Sequence, residues 1–413
     1  MLPPNTRYHG TEDAIFRRAN NSLEKGIASG RLTETDVALI KKYTLRLKQG
    51  LSAGRFAKIT YMLVSVRRYF DVEYAKVTEV DYLEALSKIK YAKRDNGTPY
   101  TANCITDWLK ITKRFFKFLH TQNMTTVPLE VIEETQTGGY DYYTKTEDDV
   151  LTADEINRII AAAHTPKYKA YFGMLYELGA RSIELANLRW QDLTFNEWGI
   201  SCNLRDAKAG RTPKIRTVPC VMYAKYVSDW RSQYPGDPTG ENFVFVTPSK
   251  KPFSYRAVEK ALGLFAKEAG IERHVTLHRF RHTRITHVLR EGMNETLCKK
   301  AFWGNQSTAM IGTYGHLTSS DLENEYMRLA GINVERKNKD ESPKPIHCPQ
   351  CHHVCPPGSK ICPNCGKALT KDVEDEINDG YKTLDDLFKR LSDAERYQVL
   401  GKLSQFIQAE RAH

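Results

Sequence analysis

Hydrophobic residues in the stretch CITDWLKITKRFFKFL fall at Cys104, Trp108, Ile111, Phe115 and Phe118, a single stripe at the 3.6-residue helical period. Lys110, Lys113, Arg114 and Lys117 lie on the opposite face. The contrast predicts an amphipathic helix with its apolar side inward and a basic side turned to solvent or to phosphates. Similar patterns, broken at KQGLSAG and KRDNGTPY, predict a helical unit over residues 32–122, preceded by a polar helical arm over 1–31. Residues 123–149 show no sustained period and read as a linker. Order resumes at LTADEINRIIAAA, where Thr152 and Glu155 have the spacing of a capping box. Between about 193 and 220 the period shortens to two: Ile200, Cys202 and Leu204 alternate, KAGRTP supplies a turn, and KIRTVPC returns as a second strand. Helical patterns then resume, so a mixed α/β unit is expected over 150–335. A polar stretch, ERKNKDESPKP, leads to a cysteine cluster at 347–370 and a strongly periodic helical tail at 371–413.

One predicted helix conflicts with its own pattern. In TLHRFRHTRITHVLREG, His278 and Arg281 share a side with Ile285 and Leu289, while Arg279, Arg284 and Arg290 point elsewhere. A buried guanidinium is costly unless an anion meets it. An internal carboxylate and a bound phosphate are the two candidates.

Composition narrows the choice. A chain of 413 residues is too long for one ordinary core. The formal net charge of +11 and a pI near 9.0 favour a polyanionic partner, nucleic acid first and an anionic membrane surface second. No apolar run is long enough to span a bilayer, and the N-terminus lacks the apolar core of a signal peptide, so the expected location is the cytoplasm.

Five of the nine cysteines crowd into residues 348–365, unlike a secreted disulfide framework. Cys348-x-x-Cys351, ten intervening residues, and Cys362-x-x-Cys365 form two knuckles that suit a tetrahedral four-sulfur site for Zn²⁺. Such a site is closed and therefore structural. His347, His352 and Cys355 are spare ligands, and the resulting zinc ribbon has DNA, another protomer or an accessory protein as candidate partners.

Two further stretches bear on Arg281: YELGARSIELANLRWQDL at 176–193 and WGNQSTAMIGTYGHLT at 303–318. Together with the opening helix they resemble the tyrosine site-specific recombinases, the phage integrase family, over roughly residues 32–330. The first arginine motif of that family matches Gly179, Arg181, Glu184 and Leu185, its His-x-x-Arg matches His278 and Arg281, and its nucleophile matches Tyr314 followed by His316. The motifs stand in the family's order, with a β-hairpin between the first two. Where the family usually has His or Trp after a glycine, this chain has Gly304-Asn305, whose amide still donates a hydrogen bond but holds no positive charge.

The resemblance implies a SAM-like, all-α core-binding domain and a mainly helical catalytic domain with a small antiparallel sheet, clamped on double-stranded DNA. It implies a homo-tetramer on synapsed duplexes, and strand exchange without ATP or a catalytic metal. Arg181 and Arg281 would hold the nonbridging phosphate oxygens with planar, permanently charged forks. Tyr314 would attack phosphorus, His278 would assist removal of its proton, and Glu184 would orient the cluster. A hairpin lysine protonates the leaving oxygen in this family; Lys208 takes that place here, with Lys214 as runner-up. The expected role is integration or excision of a mobile element. Xer-like dimer resolution, relaxation by a type IB topoisomerase and a catalytically idle DNA-binding regulator are the alternatives.

Overall fold

A computed structural model describes residues 5–141, 149–205, 215–308, 311–312, 326–327, 330–332 and 342–411. The described residues pack as two units: 5–141 with 252–256 and 311–312, and 149–205, 215–251 and 257–308 with 326–327, 330–332 and 342–411.

The first unit is helical: α1 (Thr6–His9), α2 (Glu12–Ala28), α3 (Glu34–Lys48), α4 (Ala53–Val66), α5 (Glu79–Lys90), α6 (Ala102–Thr121) and α7 (Leu129–Glu134). Thr33 and Thr78 close capping boxes with Asp36 and Asp81, satisfying backbone donors that a helix start leaves open. The stripe of α6 is buried as its pattern predicts, with Trp108, Ile111, Phe115 and Phe118 inward. Phe116 and Leu119 are buried as well, so the apolar side is broader than one stripe. The α2 helix, expected as part of a separate arm, lends Leu23 to this same core.

The described part of the stretch expected as a linker, residues 123–141, packs on the first unit. Val127 and Ile132 insert into the first core, Ile132 from within α7, which Thr135 ends as its C-cap. A six-residue helix is too short to display a period. Beyond it, Asp141 N–H donates to Asn103 Oδ1 at 2.8 Å and Thr106 donates to Gly139 O, laying the segment along α6.

The second unit begins with α8 (Ala153–Ala162), capped by the Thr152–Glu155 box read from the sequence. Next come α9 (Pro166–Glu177) and α10 (Ser182–Ala186). An antiparallel sheet follows in the order β1 (Leu193–Asn196), β2 (Gly199–Arg205), β3 (Ile215–Cys220). Ile200, Cys202 and Leu204 of β2 are buried opposite Cys220, Val218 and Arg216 of β3. The remaining helices are α11 (Ala224–Ser232), α12 (Tyr255–Glu268), α13 (Leu277–Arg290) and α14 (Glu295–Trp303). Every residue of α9 from Ala170 to Glu177 is buried, and α8, α10, α11 and α13 pack around it.

After the cysteine cluster, where β4 (Ile346–His347) pairs with β5 (Val354–Cys355), the chain ends in α15 (Lys371–Arg390) and α16 (Asp393–Arg411). Among the described residues no helix is long and apolar enough to cross a membrane.

Candidate active site and metal centre

Arg181 stands at the N-cap of α10, where Glu184 takes the third helical position. Glu184 is 2 % exposed, so it is buried and not a helix-surface glutamate. Its Oε1 accepts from Arg181 Nη1 at 2.9 Å, and its Oε2 accepts from the Arg181 backbone N–H and from Arg216 Nη2, both at 2.7 Å. The turn before Arg181 passes through Gly179 at φ +50°, a left-handed conformation that glycine adopts without strain. A Cβ there would overlap the ring of Phe302.

Arg281, on α13, is 2 % exposed. Its Nη2 donates to Phe302 O at 2.7 Å and its Nη1 to Gly179 O. The guanidinium also lies over Trp303, 5.4 Å from the ring centroid. Carbonyl oxygens and ring faces orient a guanidinium while leaving its charge in place.

The shared side expected for this helix is only partly as expected. His278 is exposed and Leu289 half-buried, whereas Phe280, Arg281, Ile285, His287 and Val288 are buried. The helix is enclosed by α9 and α14 on more than one side, so burial follows two faces rather than one stripe. His278 stacks edge-on against His282, with ring centroids 4.2 Å apart. Deeper in, Tyr176 Oη and His287 Nδ1 share a 2.8 Å hydrogen bond. Burial raises the Tyr176 hydroxyl and, with Arg284 and Arg290 nearby, pushes the His287 imidazole down to about 4.

Asn305 follows the left-handed C-cap Gly304 of α14 (φ +62°). Its Oδ1 accepts from Ser307 N–H at 3.0 Å, so its amide nitrogen is the group available to donate. Lys208, Lys214 and Tyr314 lie outside the described residues.

Of the basic residues on α6, Lys113 donates to Thr135 O at 3.1 Å, Lys117 pairs with Glu133 at 2.6 Å, and Lys110 lies 3.8 Å above the Tyr140 ring. Arg114 is exposed. Local partners thus occupy three members of the expected phosphate-facing set.

Two residues escaped the sequence reading. Arg216 is buried on β3 at a register shared with Val218 and Cys220, so an arginine in an apolar alternation was the available signal. Glu177 closes the apolar run of α9. Its carboxylate accepts the backbone N–H groups of Val221, Met222 and Tyr223 at 2.6, 2.8 and 3.0 Å, anchoring the end of β3 to α9.

In the C-terminal cluster, one Sγ each of Cys348, Cys351, Cys362 and Cys365 lies within 4.8 Å of all the others. The Cys348–Cys365 and Cys351–Cys362 pairs are 3.6 Å apart. Sulfurs bound tetrahedrally at about 2.3 Å from one ion stand about 3.8 Å apart. The donor set therefore fits a metal ion. Gly366, at φ +75°, makes the turn after the second knuckle.

Residues 149–321 match the phage integrase family model. Transposase A of transposon Tn554 from Staphylococcus aureus is 27% identical over 196 residues, 45% of this chain and 53% of that protein. This chain thus spans about half the length of those relatives. The tyrosine recombinase XerD of Oceanobacillus iheyensis is 24% identical over 296 residues, covering 68% of this chain and 94% of XerD. In fold, lambda integrase residues 75–356, solved bound to DNA, superpose with a TM-score of 0.52 at 13% identity, covering 68% and 96% of the two chains. The XerH recombinase in a post-cleavage complex with a palindromic difH substrate gives 0.52 at 15% identity, covering 79% and 91%. With its arginine motifs in the family's order, the stretch 149–321 resembles the phage integrase family, and the chain shares the fold of the solved lambda integrase and XerH recombinase.

Proposed function

We propose that the protein is a site-specific DNA recombinase that integrates or excises a mobile element through a 3′-phosphotyrosyl intermediate. The observation that carries this reading is the buried Arg281, whose charge is oriented by two carbonyls beside the turn that presents Arg181. A phosphate gaining charge as its fifth bond forms is the ligand that such a pair stabilises. Tyr314 Oη attacks phosphorus, the P–O5′ bond breaks, and His278 assists removal of the tyrosine proton. Lys208 gives a proton to the departing 5′-oxygen, and Asn305 donates its amide to a nonbridging oxygen. The ester retains the bond energy, so resealing by a 5′-hydroxyl needs no ATP.

The substrate is double-stranded DNA. Arg114, with Lys110, Lys113 and Lys117 after release from their local partners, supplies phosphate contacts from the core-binding unit. Assembly as a tetramer is supported by the fold shared with lambda integrase, which has been solved as a tetramer bound to a Holliday junction. The four cysteines would hold one structural Zn²⁺, which fixes the ribbon fold and supplies no chemistry. The ribbon and the exposed apolar residues Tyr381, Leu384 and Leu387 of the tail are the surfaces for accessory proteins. The reaction takes place in the cytoplasm.

A nicked suicide duplex tests the assignment. The protein should become covalently attached through Tyr314, and Tyr314→Phe should bind the same duplex without an adduct. Attachment at another tyrosine, or DNA retardation with no adduct from the wild-type chain, would contradict the reading.

A further inference from the structure

Arg216 belongs to none of the motifs, yet its side chain is 7 % exposed and donates to Glu184 at 2.7 Å. Its Cβ lies 3.6 Å from where a Cβ on Gly304 would sit, beneath the turn that carries Asn305. We propose that Arg216 is a positioning residue for strand cleavage: by sharing Glu184 with Arg181, it holds the carboxylate in one orientation and keeps it from neutralising Arg181. The inference rests on the recombinase reading above.

The argument is one of charge and geometry. Arg181, Glu184 and Arg216 together are two cations on one anion. A buried carboxylate paired with Arg181 alone would cancel its charge and weaken its attraction for phosphate. With Arg216 attached, its charge offsets the negative charge that Glu184 places beside Arg181, whose side chain is 22 % exposed. The two cations also take opposite ends of the carboxylate: Arg181 Nη1 is on Oε1, and Arg216 Nη2 is on Oε2 with the Arg181 backbone N–H. Removal of Arg216 leaves Arg181 as the one cation of this set on the carboxylate, with Oε2 held by the Arg181 backbone N–H.

A plain structural ion pair makes the opposite forecast for a double variant, and this decides the matter. Cleavage of the suicide duplex under single-turnover conditions is measured for the full chain, with thermal melting in parallel. The variants are Arg216→Met, Arg216→Lys, Glu184→Gln and the Arg216→Met/Glu184→Gln pair. Methionine keeps an unbranched stem under Gly304 and removes the charge. Arg216→Met should slow cleavage about tenfold, less than the roughly 10²- to 10³-fold lost with a direct transition-state donor. Arg216→Lys, which can still make the single bond to Oε2, should stay within about threefold of wild type. The double variant should cleave faster than Arg216→Met, because glutamine no longer neutralises Arg181.

A double variant slower than both single variants, or an Arg216→Met enzyme at the wild-type rate, overturns the proposal. Should Arg216→Met fail to fold, Arg216→Lys decides: a rate near wild type supports charge sharing, and a loss beyond about tenfold refutes it. A wild-type chain that forms no adduct instead refutes the recombinase reading, and this inference with it.

Discussion

Arg281 donates one hydrogen bond to the carbonyl of Gly179, two residues before Arg181, and another to the carbonyl of Phe302, two residues before Gly304. A single buried guanidinium therefore ties together the turn that presents Arg181 and the helix end that presents Asn305. Gly179 is where this arrangement is tightest, since its backbone is left-handed and Phe302 occupies the space of a side chain. Gly179→Ala should destabilise the protein by about 2 kcal/mol or more, from backbone strain and overpacking together. Its cleavage rate at a temperature where it is still folded should also fall, because both arginine-bearing segments shift. An alanine variant with wild-type melting and wild-type cleavage would show that this turn does not position Arg181.

His287 gives the stability a defined pH dependence. Its folded imidazole titrates near 4, below the ordinary 6.5, because burial and two arginines oppose its charge. A group whose folded pKa is depressed binds its proton more readily in the unfolded chain. Its contribution is therefore present above pH 6.5 and is lost as the pH falls from 6.5 toward 4. At about 1.4 kcal/mol per unit, the loss is on the order of 3 kcal/mol. Chemical denaturation at pH 7 and at pH 4.5 measures it: His287→Phe should lose markedly less stability between the two than the wild type. Parallel losses in both proteins would place the acid sensitivity elsewhere.

These details show which features the sequence displays. The α6 stripe, the β2–β3 alternation and the arginine motifs are local or repeated patterns, so they are legible residue by residue. Their three-dimensional neighbours are not. Glu184 reads equally well as a surface residue until Arg216, 32 residues away, is seen on its second oxygen. Lys113 reads as solvent-facing until the chain returns and sets the Thr135 carbonyl beside it. His278 shares a helical side with Arg281 in the pattern, but α13 is buried by neighbours on two faces, and its first turn is left partly outside.

The cysteine cluster predicts a metal content and a division of labour. The purified chain should carry about one zinc ion, as four convergent thiolates require. Replacing Cys348 and Cys351 together with serine should release it and loosen the ribbon, measured by metal analysis and by proteolysis within residues 342–370. Covalent attachment to the nicked duplex should persist in that variant, since none of the four ligands belongs to the arginine cluster. Loss of the cleavage step itself on metal removal would assign the ion a different role.

The last prediction concerns the proton that the departing 5′-oxygen needs. If Lys208 supplies it, Lys208→Ala should cleave ordinary DNA roughly 10²- to 10⁴-fold more slowly, the usual contribution of general acid catalysis. Replacing the bridging 5′-oxygen with sulfur changes what the leaving group requires, because a thiolate departs with little help from a proton. Lys208→Ala should then regain most of its rate on the sulfur-containing duplex. Arg181→Ala should not, because its defect is uncompensated charge on the nonbridging oxygens, which the substitution leaves unchanged. Lys214→Ala is the internal comparison: rescue there, with none at Lys208, transfers the acid to Lys214. If sulfur rescues neither variant, the proton comes from outside this hairpin.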